Sequence, residues 1–217
     1  MYNPNMEEDL PDKMPLGQHL EDLRKVLLRA LLGLVVGVIA GAFFVKPVLD
    51  FFARPIGGVE NLQVIEVTES MSVYMRVALL IGLIAALPWI FFQLFLFIGK
   101  GLKKSEKRGL LVAIPFATIL FLAGGGFAFF VMLPASMKFF IGLLEVNTTL
   151  RLSSYFGFVV NLIFWIAISF ELPLLVFVLT RVGVMKPGIL TKGWRVALVA
   201  IAVLSAVITP TGDPVNM

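Results

Sequence analysis

The sequence contains no cysteine. Disulfides, thiolate metal sites and cysteine nucleophiles are therefore excluded together. It contains one histidine, His19, which excludes clusters of histidine ligands. Charge is sparse: 15% of the 217 residues are Asp, Glu, Lys or Arg, where a soluble domain carries about a quarter. The first 25 residues hold no apolar run. No cleavable signal peptide is expected, and the first membrane span serves as the targeting signal. There is no Walker loop, no G-x-S-x-G, no H-E-x-x-H and no pair of buried carboxylates. An enzyme is not expected, nor is any cofactor or metal.

What the chain has in abundance is apolar surface. Hydrophobic residues make up 59% of it, Phe occurs 20 times, and the mean hydropathy is +0.97. These values describe a chain dissolved in lipid. The net charge of +4 is explained by basic loops on one side of a bilayer, so no nucleic-acid partner is expected.

Residues 1–13 are polar and acidic and read as a mobile tail. In residues 15–25, Leu16, Leu20 and Leu23 recur at helical spacing, with Glu21, Asp22, Arg24 and Lys25 on other faces. This pattern predicts an amphipathic helix at the membrane surface, running into the first span. Five apolar segments follow, at about 26–45, 77–98, 109–133, 152–180 and 196–209. The fold class is thus an all-α polytopic membrane protein. A span needs about 20 residues. The fifth segment gives only about 21 Å of helix, so it thins the bilayer or packs mostly on protein. The stretch 62–67 alternates and predicts a short strand in the loop after span one.

Charge placement sets the orientation. Lys13, Arg24, Lys25 and Arg29 precede or open span one. Lys100, Lys103, Lys104, Lys107 and Arg108 join spans two and three, and Arg181, Lys186, Lys192 and Arg195 join spans four and five. The other side has Lys46, Arg54, Lys138 and Arg151, with Arg76 at the mouth of span two. The positive-inside rule puts the N-terminus in the cytoplasm and leaves the end of span five outside.

Three groups of residues are candidates for function. Glu171 is the one acid inside the fourth segment, about 13 Å from its end. It is either a neutral carboxyl bonded within the bundle or a functional group facing water or a partner. Pro173 frees a backbone carbonyl beside it. Gln93 and Thr209 are further polar groups in apolar segments. On the basic side, Glu21-Asp22 and Glu106 stand among cations. They are either surface pairs, such as Glu21 with Lys25 at i,i+4, or parts of an acidic receptor for a basic ligand. The glycines at 124–126 read as close helix packing. A transporter using Glu171 as an ion site is the rival reading. Against it stand the single intramembrane acid, the absence of a repeat and the absence of paired broken helices.

Several motifs occur in order along the chain. They are His19-Leu20-Glu21-Asp22-Leu23-Arg24-Lys25, then Phe92-Gln93 with Phe97, and Lys104-Ser105-Glu106-Lys107-Arg108. Phe121-x-x-Gly124-x-x-Phe127 to Pro134, Phe170-Glu171-Leu172-Pro173, and Thr209-Pro210-x-x-Asp213 follow. Together they resemble the TatC family, the core subunits of the twin-arginine protein translocase, over residues 15–214. The resemblance implies a cupped bundle of six helices in a bacterial inner membrane, of which five are present in these 217 residues. It implies that Asp22 and Glu106 bind the paired arginines of a signal peptide, with Arg24, Glu21 and Phe97 lining the same region. Pro55, Pro134, Pro173, Glu171 and Asp213 fall on family positions. The implied partners are twin-arginine signal peptides of folded cargo, single-span TatA/TatB-type proteins, lipid, and further copies of the chain. The proton motive force would drive export. Asp22 stands where the family has Glu and reaches one methylene less far. Glu21 points about 100° away around the helix.

Overall fold

The computed structural model describes residues 16–99, 104–142 and 150–181. Two compact units divide the chain, Met1–Leu175 and Val176–Met217. In the second, the described residues are the last turns of a helix. There, Thr180 Oγ1 donates to Val176 O at 2.8 Å and the Arg181 guanidinium lies 5.5 Å from the centre of the Phe177 ring.

The predicted surface helix and first span form one helix, α1, Leu16–Ala42. No proline or glycine pair interrupts it where polar gives way to apolar, so nothing ends the helix there. A short helix follows, α2, Val45–Ala53, in what the sequence reading treats as loop. It ends in a 3-10 turn, Arg54–Ile56, which contains Pro55. The next two residues, Gly57 and Gly58, have φ of 88° and 126°, values that side chains disfavour. A second turn, Val59–Asn61, leads into strand β1, Leu62–Gln63.

β1 pairs in parallel with β2, Leu150–Arg151, placing Leu62 opposite Leu150 and Gln63 opposite Arg151. The strand expected over 62–67 is thus confined to its first two residues. Its partner offers only two residues before the next helix opens at Leu152, and an unpaired extension has nothing to bond. Val64, Ile65 and Val67 are exposed.

Helix α3, Glu69–Ile98, begins eight residues before the apolar segment does. Arg76 ends the segment in a hydropathy reading, but it does not end a helix. Helix α4, Lys104–Phe127, continues through a π-helical turn at Ala128–Met132 into α5, Leu133–Gly142. Pro134 lies in the first turn of α5, where its missing N–H is tolerated. The π turn re-spaces the ladder just before it, so helix runs on past the expected end at 133. Helix α6, Leu152–Phe170, and helix α7, Leu172–Arg181, are separated by Glu171. Pro173 cannot donate to a carbonyl four residues back, which accounts for the break. Glu171 N instead donates to Ile168 O at 3.0 Å.

Among the described residues, four helical stretches are long and apolar enough to cross a bilayer: Leu20–Ala42, Glu69–Ile98, Ala113–Phe139 and Leu152–Arg181. The fold is all-α and polytopic. The fifth apolar segment, 196–209, lies outside the described residues.

Helices α1 and α3 pack closely and antiparallel. Gly33, Gly37 and Gly41 recur every fourth residue on α1. A Cβ on Gly37 would lie 2.5 Å from Gly82 O, and one on Gly41 would lie 3.0 Å from Gly82 N. A Cβ on Gly33 would collide with the Trp89 ring. In lipid, small residues let backbones approach and gain dispersion where no hydrophobic force acts between helices. Trp89 Nε1 donates to Arg29 O at 3.0 Å, and Tyr74 Oη donates to Ala42 O at 2.7 Å. At the β1–β2 end the core joins Val45 and Phe52 of α2 to Val73 and Val77 of α3, and to Phe156 and Val159 of α6. Phe51 stacks on Phe129 at 4.6 Å, and Tyr155 Oη donates to Phe52 O at 2.7 Å.

Candidate functional site

The first candidate site lies at the end opposite β1–β2. The contacts of Gly41 with Ala78, Gly37 with Gly82 and Gly33 with Trp89 fix the register of α1 against α3. Followed for about three more turns, this register brings the start of α1 level with the last turn of α3. Asp22 belongs to the first and Phe97 to the second, and both are half-buried. Val26 is buried at 7% exposure. Asp22 lies one turn before it, at i−4, and therefore shares its inward face. Glu21 is exposed and pairs with Lys25 at 2.8 Å. Arg24 is exposed as well. The two acids of the Glu21-Asp22 pair thus have different surroundings, and Asp22 is the one on the packing face.

Glu106 is the third residue of α4. An acid in a first turn complements the partial positive charge of the helix N-terminus. α3 ends at Ile98 and α4 opens at Lys104, so Glu106 follows closely on Phe97 in the chain. The register sets the start of α1 beside the end of α3, and the chain passes from that end of α3 to the start of α4.

The second candidate lies within the apolar belt. Gln93 is 3% exposed, and among the described residues its Oε1 has no hydrogen-bond partner. Both carboxyl oxygens of Glu171 are likewise inaccessible, and among the described residues neither has a hydrogen-bond partner. Glu171 is one turn beyond Ala167, which packs with Leu87 of α3 and Phe121 of α4. The glycines of α4 contribute to this contact as expected: a Cβ on Gly124 would lie 2.9 Å from Ala167 Cα. Gly125 meets Ile163, whereas Gly126 faces open space. Thr209 and Asp213 lie outside the described residues.

A third cluster has no counterpart in the sequence reading. Arg151 donates from Nε to Glu69 Oε1 at 2.6 Å and from Nη2 to Glu66 Oε1 at 2.8 Å. Glu69 also accepts from Glu66 N at 3.1 Å and from Ser153 N at 3.4 Å. Its side chain is 3% exposed. The hydrogen bonds to Glu66 and then Glu69 hold the Arg151 guanidinium above its ordinary pKa. The pair closes the β1–β2 end by joining the first turn of α3 to the start of α6. An acid opening α3 is visible in the sequence. Its partner, 82 residues away, is not.

Comparison with known proteins assigns the fold. Residues 18–217 match the family described as Sec-independent protein translocase protein (TatC). The Sec-independent protein translocase protein TatC of Synechocystis sp. is 34% identical over 217 residues, covering 98% of this chain and 85% of that protein. TatCy of Bacillus subtilis is 32% identical over 203 residues, covering 92% and 80%. A crystal structure of the twin-arginine translocase receptor TatC in DDM superimposes with a TM-score of 0.80 at 29% identity, covering 91% of this chain and 90% of that one. With four bilayer-length helices and these relatives, the chain is a multi-pass membrane protein of the TatC family, the core component of the Sec-independent protein translocase.

Proposed function

We propose that the end formed by α1, α3 and α4 is a cytoplasmic receptor for twin-arginine signal peptides of folded cargo, with Asp22 and Glu106 each binding one arginine. The reading rests on the antiparallel register of α1 and α3, which aligns the inward-facing Asp22 with the α3 end from which the chain passes to Glu106. Arginine is always charged and offers a planar fork of donors that matches a carboxylate. Such charge-assisted pairs are strong where water is partly excluded. Lysine has the charge without the fork, so a requirement for two arginines follows. Neighbouring residues of an extended peptide point to opposite sides, which suits two separated acids. Arg24, Glu21 and Phe97 border the site.

In this reading the N-terminus is cytoplasmic, in a bacterial inner membrane, as the basic loops require. The protein is a translocase component without a catalytic group. It assembles with single-span TatA/TatB-type proteins and with further copies of itself, and the proton motive force drives export. Glu171 and Gln93 hold acceptors in the apolar belt that are unsatisfied among the described residues, the chemistry a polar group on a partner helix would complete. Proline positions 55, 134 and 173 shape the turns and breaks described above. Affinity of a twin-arginine peptide for variants at Asp22 and Glu106 tests the receptor assignment.

A further inference from the structure

One charged group in the apolar belt has no role in the reading above. Arg76 is seven residues into α3, about 10 Å from Glu69 along the helix. It is exposed, and among the described residues it has no hydrogen-bond or ion-pair partner. A cation at such a depth needs a counter-charge or a route to the headgroups.

Its position is defined by α6. The guanidinium rests over Gly157, where a Cβ would lie 2.7 Å from Nη1. Gly157 is buried. On the same face of α6, three residues before and four after it, stand Ser154 and Asn161. Both are exposed within an apolar helix. The seat of Arg76 on α6 thus sets a guanidinium, a hydroxyl and an amide along one exposed face. Beside Arg76, Met75 and Leu79 of α3 are 45% and 48% exposed, so the polar face has an apolar margin. A helical side chain leans toward its own N-terminus. For α3 that direction is the β1–β2 end, and a long stem carries the charge toward headgroup depth.

We propose that Arg76, seated on Gly157 and flanked by Ser154 and Asn161, binds the phosphodiester of an anionic phospholipid in the leaflet on the β1–β2 side. The planar fork suits two phosphate oxygens. Ser154 and Asn161 offer hydrogen bonds to headgroup and ester oxygens, and the acyl chains lie along the Met75 and Leu79 margin. An anionic lipid is favoured over a zwitterionic one because the site holds a cation with no compensating acid among the described residues.

The test is native mass spectrometry of the full chain in detergent, titrated with phosphatidylglycerol, phosphatidylcholine and the tail-free headgroup glycerophosphoglycerol. The wild type should bind phosphatidylglycerol more tightly than phosphatidylcholine. Arg76→Gln should weaken phosphatidylglycerol binding about tenfold, the size expected for a lost charged hydrogen bond. Arg76→Lys should retain part of it. Gly157→Ala should weaken it too, by pushing the guanidinium from its seat. That change meets only the tip of a flexible side chain, so the helix content and unfolding temperature should stay at wild-type values. Lipid binding by Arg76→Gln equal to wild type would overturn the proposal, whatever partner chain the arginine then serves. Displacement of the lipid by equimolar glycerophosphoglycerol would also overturn it, making the polar face a site for bare phosphate esters.

Discussion

Arg151 and Glu69 lie 82 residues apart in the chain and 2.6 Å apart in the fold, from Nε to Oε1. The carboxylate is almost fully enclosed, and Arg151 also reaches Glu66. Removing the arginine alone would leave an enclosed acid without its counter-charge, whereas removing both leaves neither group stranded. Arg151→Met and Glu69→Gln should each lower the unfolding temperature in detergent by several degrees. The double variant should lose less than the sum. Strictly additive losses would show that the two side chains do not act as a pair.

The contact of Gly37 with Gly82 is a backbone-to-backbone approach that no larger residue fits. Gly37→Leu should separate α1 from α3 and destabilise the protein by about 1–3 kcal/mol, the usual range for overpacking. Gly126→Ala, which meets open space, should unfold at the wild-type temperature. Thermal unfolding in detergent reads both. Equal behaviour of the two variants would count against the close α1–α3 contact.

These contacts mark what can be read from the sequence. Bilayer-length helices follow from hydropathy alone, since backbone groups in lipid must bond within their own segment. Helix ends do not follow as well. Glu69 opens α3 because an acid favours the first turn and Arg76 can reach the headgroups, although both look like loop charges. Helix α2 is not legible because its nine residues include Pro47 and are followed by Pro55 and a glycine pair, a composition that resembles a loop. The pairing of Leu62 with Leu150 and the Arg151–Glu69 bond are tertiary facts with no local pattern. Asp22 was legible as a candidate, but its inward orientation, in contrast to Glu21, depends on the buried Val26.

Reporter fusions test the orientation. A fusion at Gly58, beside β1, and one at Ser105, opening α4, lie at opposite ends of α3. A periplasm-active reporter should be on at Gly58 and off at Ser105. Equal readouts would overturn the span order.

Glu171 has two enclosed oxygens and no partner within the described residues. Glu171→Gln keeps size and hydrogen-bonding capacity while removing the charge. It should leave the unfolding temperature nearly unchanged and reduce export of a twin-arginine reporter. Glu171→Leu should reduce export further. Wild-type export by both variants would make Glu171 an incidental polar residue.

The central claim is that Asp22 and Glu106 each hold one arginine of a signal peptide. The direct measurement is the affinity of a twin-arginine peptide for the protein in nanodiscs. Asp22→Ala and Glu106→Ala should each weaken binding by about 2 kcal/mol, roughly thirtyfold. Asp22→Glu should preserve or improve it, a twin-lysine peptide should bind poorly, and added salt should weaken the wild-type complex. Wild-type affinity in both alanine variants, or equal binding of the twin-lysine peptide, would contradict the receptor assignment.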